Sequence, residues 1–181
     1  SLHTVLGVPR GIDDDMLYLA ALLHDAGKPQ CQTQGERDGK PNMHYYGHPE
    51  KSLQLVKREI VPTLEWNGEF LSETEKKRLF YYVAFHDDHV SFRKKHLRRH
   101  LKIASFEEFQ KLMLLQTADA KAHIQVPVIE ERVQICEALA GEYGRELYQS
   151  IIEEKKAQAG RRIWPPSRPA ETLVGYLLAG S

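Results

Sequence analysis

An all-α fold is predicted by three features of this 181-residue sequence. Apolar residues recur at helical spacing almost throughout, and the strict alternation of a half-buried strand is nearly absent. Ser72 with Glu75 and Ser105 with Glu108 form two capping boxes that announce helix starts. The run Met16, Leu17, Leu19, Ala20, Leu22, Leu23 gives a helix whose apolar face is wide enough for burial at the centre of a bundle.

In chain order, residues 2–6 are the stump of a helix carrying His3, and Val8-Pro9-Arg10-Gly11 is a turn. Asp13, Asp14 and Asp15 supply an N-cap and a negative first turn for the central helix. Gly27 stops that helix and Pro29 cannot continue it. Residues 29–47 contain Gln, Gly, Asp, Asn and Pro without a period, which predicts a long loop of the kind often functional. Pro49 suits a first helical position, and Leu53, Val56 and Ile60 keep helical spacing. The first capping box opens a helix that runs to about His86, with Leu79, Val83 and His86 on one face. Arg93 to Lys102 is a basic helical segment. The second box opens a helix whose stripe Phe109, Leu112, Met113, Gln116 leads to Asp119. Two more helices are expected over 127–140 and 142–157. Trp164-Pro165-Pro166-Ser167-Arg168-Pro169 breaks regular structure, and Leu173 to Leu178 forms a short docking helix. The division is one domain over 1–160 and an irregular extension over 161–181.

Composition narrows the function classes. Twenty-five basic and 25 acidic residues cancel, so bulk charge does not indicate a nucleic-acid binder. Hydrophobic content of 41% and charged content of 28% fit an ordinary soluble globule. Cys31 and Cys136 are too few for a disulfide framework or a Cys-only zinc site, which favours a cytoplasmic location with free thiols. No apolar run approaches the ~20 residues of a membrane span, and no leader peptide is visible. No Gly-rich phosphate loop or serine-nucleophile motif is present.

The chemistry concentrates in Leu22-Leu23-His24-Asp25-Ala26-Gly27-Lys28-Pro29. Neutral imidazole beside carboxylate is a mixed N/O donor set suited to a divalent transition metal. Two donors are too few for a tight site. Asp119 ends an otherwise apolar stripe, and a buried carboxylate there needs a cation or several donors; a metal meets this need, and a salt bridge to Lys121 or an arginine is the plainer alternative.

The octet, with these outlying residues in this order, resembles the signature of HD-domain metal-dependent phosphohydrolases. The resemblance runs over about residues 3 to 140 and is closest to the HD module of bacterial tRNA nucleotidyltransferases. It implies an all-α, HD-domain-like helical bundle around a central metal site. His3, His24, Asp25 and Asp119 would be the ligands of a divalent transition metal: Mn, Co, Ni, Fe or Zn, with Mg also possible. Tyr46-Gly47-His48-Pro49-Glu50-Lys51 and Phe85-His86-Asp87 resemble two further histidine positions of some branches. His48 and His86 would then hold a second ion, or stand one layer back and act with Asp25 on substrate over a single one; the second arrangement is favoured. Lys28 either pairs with a phosphate oxygen or balances the helix dipole.

The basic run Arg93, Lys94, Lys95, Arg98, Arg99, Lys102 could track a phosphate backbone, with Arg93 as a substrate contact, but without interleaved aromatics it reads more readily as a solvated face. His44, Tyr45 and Tyr46 could line a pocket, whereas His89, His96, His100 and His123 receive no role. The implied activity is phosphatase or phosphodiesterase action on a phosphorylated small molecule, a nucleotide or an RNA end. The alternative is a non-catalytic module that binds tRNA or nucleotide. His3 lies so near the start that an upstream domain of a longer chain, such as a nucleotidyltransferase or kinase half, is expected.

Overall fold

The structure, a computed structural model, describes residues 2–37 and 39–162. Among the described residues it is a helical bundle with one two-stranded hairpin. Helix α1 covers Leu2–Gly7 and α2 covers Asp15–Leu23. Asp14 caps α2: its carboxylate accepts from the Met16 and Leu17 amides, at 3.1 and 3.3 Å, and also receives the Tyr82 hydroxyl at 2.8 Å. Leu17, Ala20 and Ala21 are fully buried. Helix α2 packs on α1, on α5 (Glu73–Phe85) and on α7 (Phe106–Lys121), so the expected central helix is central.

The expectation of an unstructured stretch over 29–47 is corrected. A short 3-10 turn spans Lys28–Cys31, and β1 (Thr33–Arg37) pairs antiparallel with β2 (Lys40–His44). An Asp38-Gly39 dipeptide lies between the strands, and Gly39 takes φ 72°, a conformation that suits a tight hairpin turn. The hairpin ends beside α3 (His48–Leu55). Helix α3 continues into α4 (Val61–Trp66) through a π turn over Val56–Ile60, in which the Val61 amide reaches back to the Val56 carbonyl. Pro62 lacks an amide, and a widened turn ahead of it keeps the helix continuous where a regular ladder would lose a bond.

Both capping boxes form as the sequence indicates, at Ser72–Glu75 and Ser105–Glu108. Between them, α6 (Lys94–Leu101) turns its basic face to acidic partners: Lys94 and Arg98 pair with Glu154, and Arg99 pairs with Asp88. These cations tie α6 to the bundle. Helix α8 (Pro127–Ala140) packs on α7, and α9 (Glu142–Arg162) closes the fold. Helix α9 runs five residues beyond the expected 157 and carries Arg161 and Arg162 across the expected domain boundary. The proline-rich tail and the docking helix at 173–178 lie outside the described residues.

Candidate metal centre and substrate cleft

Helix α2 delivers His24 and Asp25 just past its last turn. His24 is fully buried, and its Nδ1–H donates to the Ala21 carbonyl at 2.8 Å. A carbonyl can only accept, so this bond places a proton on Nδ1 and aims Nε2 inward. His24 Nε2 stands 3.1 Å from Asp119 Oδ1 and 3.2 Å from Asp25 Oδ2. Asp119, near the end of α7, also receives the buried Thr4 hydroxyl from α1 at 3.5 Å. Asp25 Oδ2 accepts from Lys28 Nζ at 2.8 Å.

His48 and His86 repeat the His24 arrangement. His48 Nδ1–H donates to the Tyr45 carbonyl at 2.9 Å, and His86 Nδ1–H to the Val83 carbonyl at 2.7 Å. Gly47, at φ 73°, turns the chain so that His48 can open α3 and reach back to Tyr45. Nε2 of His48 and Nε2 of His86 lie 3.1 Å apart, and they stand 3.5 and 3.8 Å from Asp25 Oδ1. The two imidazoles therefore face Asp25 Oδ1. The two oxygens of Asp25 serve different sets: Oδ2 faces His24 and Lys28, and Oδ1 faces His48 and His86.

Electrostatics follow from these contacts. Burial disfavours charge on His24, but hydrogen bonds to Asp119 and Asp25 outweigh it and push the imidazole up to about 9. Asp25 is held well below the usual carboxylate range, because His24 and then Lys28 overcome the opposing effect of burial. Asp119 is lowered as well, with His24 outweighing burial. Burial and the neighbouring charge on His24 push His86 down to about 4, so it is neutral near pH 7.

Two observations test whether a divalent cation fits here. Asp25 Oδ1 is buried without a hydrogen-bond partner. Opposite it are two Nε2 atoms whose Nδ1 positions already carry the protons, so lone pair faces lone pair. A buried acceptor lacking a donor is costly, and Asp25 Oδ1 beside two imidazole nitrogens suits a cation. The donor atoms of His24, Asp25 and His86 all lie within 4.8 Å of one another. On the other side, His24 Nε2 holds a proton between two carboxylates, a position a cation of higher charge would take over. The residues fit a divalent metal of the N/O-binding kind.

Of the residues singled out in the sequence, His24, Asp25, Asp119, His48, His86 and Lys28 come together. His3 is exposed on α1 and stands outside this group, while its neighbour Thr4 points to Asp119. Arg93 is exposed and lines a separate depression with Phe92 and Glu131.

A cleft of about 400 Å³ opens over the cluster. Lys28, Tyr45, Tyr46 and His48 line one part of it, and Asp119, His123, Ile129 and Arg132 another. His123, given no role from sequence, donates Nδ1–H to the Asp119 carbonyl at 2.7 Å. His100, also given none, is buried and donates Nε2–H to Asp88 at 2.9 Å, while its Nδ1 accepts the Tyr81 hydroxyl at 2.9 Å. Buried Gln116 donates to the carbonyls of Phe85 and Asp88 at 2.9 and 3.0 Å. His100 and Gln116 thereby brace the turn that presents His86. Their only sequence signal was polarity at positions facing the core.

The family model for the HD domain matches residues 3–100, just over half of the chain. No curated protein and no solved structure matches.

Proposed function

Because the chain belongs to the HD-domain family, whose members are generally metal-dependent hydrolases, we propose that it is a divalent-metal-dependent phosphohydrolase acting on nucleotides or RNA ends. The supporting observation is the convergence of His24, Asp25, Asp119, His48 and His86 beneath one cleft, with a buried Asp25 oxygen left for a cation. Mn, Co, Ni, Fe or Zn, or Mg, would be held by His24, Asp25 and Asp119, without the exposed His3. His48 and His86 share Asp25 with that set, and this division of the Asp25 oxygens favours a second ion over the single one expected from sequence.

When bound, such an ion supplies polarisation of a phosphoryl oxygen and a water of lowered pKa. The remaining work falls to the chain. Lys28 sits at the cleft beside Asp25, where its ammonium can meet a phosphate oxygen. The Nδ1 bonds of His24, His48 and His86 aim each Nε2 inward, and in the neutral rings of His48 and His86 they leave it unprotonated. Tyr45 and Tyr46 offer ring faces at the cleft, and Tyr46 stacks on His44 at a centroid distance of 5.2 Å. Ring faces beside cations suit a nucleotide, whose base stacks and whose phosphate is anionic.

The likeness to the tRNA nucleotidyltransferase module makes an upstream partner domain and a cytoplasmic setting part of the same reading. No helix among the described residues is long and apolar enough to cross a membrane. A purely RNA-binding module is disfavoured, because Lys94, Arg98 and Arg99 are already paired to Glu154 and Asp88. The test is turnover of a nucleoside monophosphate, a 2′,3′-cyclic nucleotide and a generic phosphodiester with Mn, Co or Ni, beside metal analysis of the same sample. Turnover that appears with metal and disappears with chelator is expected. A chain that takes up no metal under these conditions would overturn the reading.

A further inference from the structure

We propose that Arg132, on α8, is the specificity residue that grips the phosphate of the substrate from the wall formed by α8. The inference rests on the phosphohydrolase reading and adds a contact beyond the segment matched by the family model, which ends at residue 100.

Arg132 lines the cleft together with Lys28 and Asp119. Its Nη1 donates to Asp87 Oδ1 at 3.0 Å, and its Nη2 donates to the His86 carbonyl at 3.2 Å. A guanidinium has five N–H donors in a fixed fork. These two bonds, with the Cys136 thiol also beside the guanidinium, fix the plane and still leave donors for a ligand, and the side chain is 29% exposed. Arg132, Asp87 and Ile129 also line a second cavity of about 250 Å³, so the guanidinium forms part of a partition between two spaces. An anion in the first cavity would meet a preoriented arginine, and planar, charge-assisted bonding to phosphate is what this side chain does best. The anchor on the His86 carbonyl matters equally. It ties the phosphate-gripping group to the turn that carries His86, so both sit in one rigid frame.

The rival role is purely structural: Arg132 would act only by holding the turn through Asp87. Asp87→Asn separates the two. It weakens the anchor and removes a negative charge from the cleft wall. A structural arginine then loses its effect, whereas a phosphate-binding arginine keeps it or gains.

The experiment is calorimetric titration of inorganic phosphate into the manganese-loaded full chain, with metal content measured for each variant. Arg132→Gln should bind phosphate about 10- to 100-fold more weakly at unchanged metal content, the loss expected for one charge-assisted contact. Arg132→Lys should recover part of that loss, and Asp87→Asn should bind phosphate as tightly as the parent or tighter. Equal affinity in Arg132→Gln and parent would overturn the proposal and leave the phosphohydrolase reading standing. So would a loss in Asp87→Asn matching that in Arg132→Gln, or a loss of metal in both arginine variants. A metal-loaded parent that binds no phosphate would overturn both readings together.

Discussion

Gly27→Ala should destabilise the protein, although the backbone at Gly27 is one that alanine adopts freely. Its φ and ψ are −83° and −9°, in the right-handed region. The obstacle is space. A Cβ built there would lie 2.4 Å from the Ser52 amide nitrogen and 2.7 Å from the Lys51 carbonyl carbon. Both are backbone atoms of α3 and cannot swing aside, so ordinary contact requires the Gly27 turn and α3 to separate by about 1 Å. Overpacking of this kind costs about 1–3 kcal/mol. The separation also strains the bond from the Gly27 amide to Ser52 Oγ, now 2.9 Å, which contributes about 1 kcal/mol. Restricting the unfolded chain returns about 0.4–1 kcal/mol. The net loss is about 1–3 kcal/mol, which for a domain of this size lowers the melting temperature by about 2–12 °C. Thermal unfolding followed by far-UV circular dichroism reads the shift, and Ser52→Ala isolates the hydrogen-bond part. A Gly27→Ala protein that melts at or above the parent temperature would refute the reasoning.

The site supports three further predictions. Asp25→Ala should abolish metal uptake and turnover, because Asp25 is the one carboxylate facing both imidazole sets; metal analysis and activity on the same sample check this. His86→Ala should remove about one metal equivalent per chain if Asp25 bridges two ions, and unchanged stoichiometry would return His86 to a substrate role. Because His24 is pushed up to about 9, its Nε2 is protonated at neutral pH, and metal binding should release about one proton per chain at pH 7.5, with affinity rising as pH climbs towards 9 and levelling above it; calorimetry in buffers of different ionisation enthalpy measures the release. The two cysteines should also differ. Burial pushes Cys136 up to about 11, so a thiol reagent should modify only the partly exposed Cys31 in the native protein and both thiols after denaturation.

Legibility from sequence followed the range of the forces involved. Capping and helical periodicity act within a few residues, so both boxes, an N-cap within Asp13–Asp15 and the approximate extents of α5 and α7 could be read directly. The hairpin could not. Its strands read Thr-Gln-Gly-Glu-Arg and Lys-Pro-Asn-Met-His, in which no apolar alternation appears, and only the Asp-Gly dipeptide signals the turn. Gly27 looked like a helix terminator, yet its reason is contact with α3, a neighbour 25 residues away. Arg132 carried no local signal at all. Its importance comes from meeting Asp87 and the His86 carbonyl, contacts that exist only once α8 has packed.

The histidines show how a long-range site can grow from a short-range rule. The last four carbonyls of a helix lack donors within it. An imidazole three residues further on can supply one through Nδ1–H, as His24 does for Ala21 at the end of α2 and His86 does for Val83 at the end of α5. His48 forms the same i to i−3 bond across the turn that opens α3. Each bond spends the proton of the neutral ring on the backbone and leaves Nε2 as a lone-pair donor directed off the end of the helix. Local capping bonds therefore orient metal-type ligands through contacts only three residues apart in sequence. Packing α2, α3 and α5 together then brings three such ends to one carboxylate, Asp25, while α7 adds Asp119 from the other side. On this reasoning the site is vulnerable at two separate levels. Substituting Gln116 loosens the turn behind His86, which should weaken metal binding while leaving every ligand in the chain. Substituting a ligand removes a donor while leaving the frame intact. The two classes differ in a melt of the metal-free chain: a frame variant loses helix at a lower temperature than the parent, whereas a ligand variant melts with the parent and differs only in metal uptake.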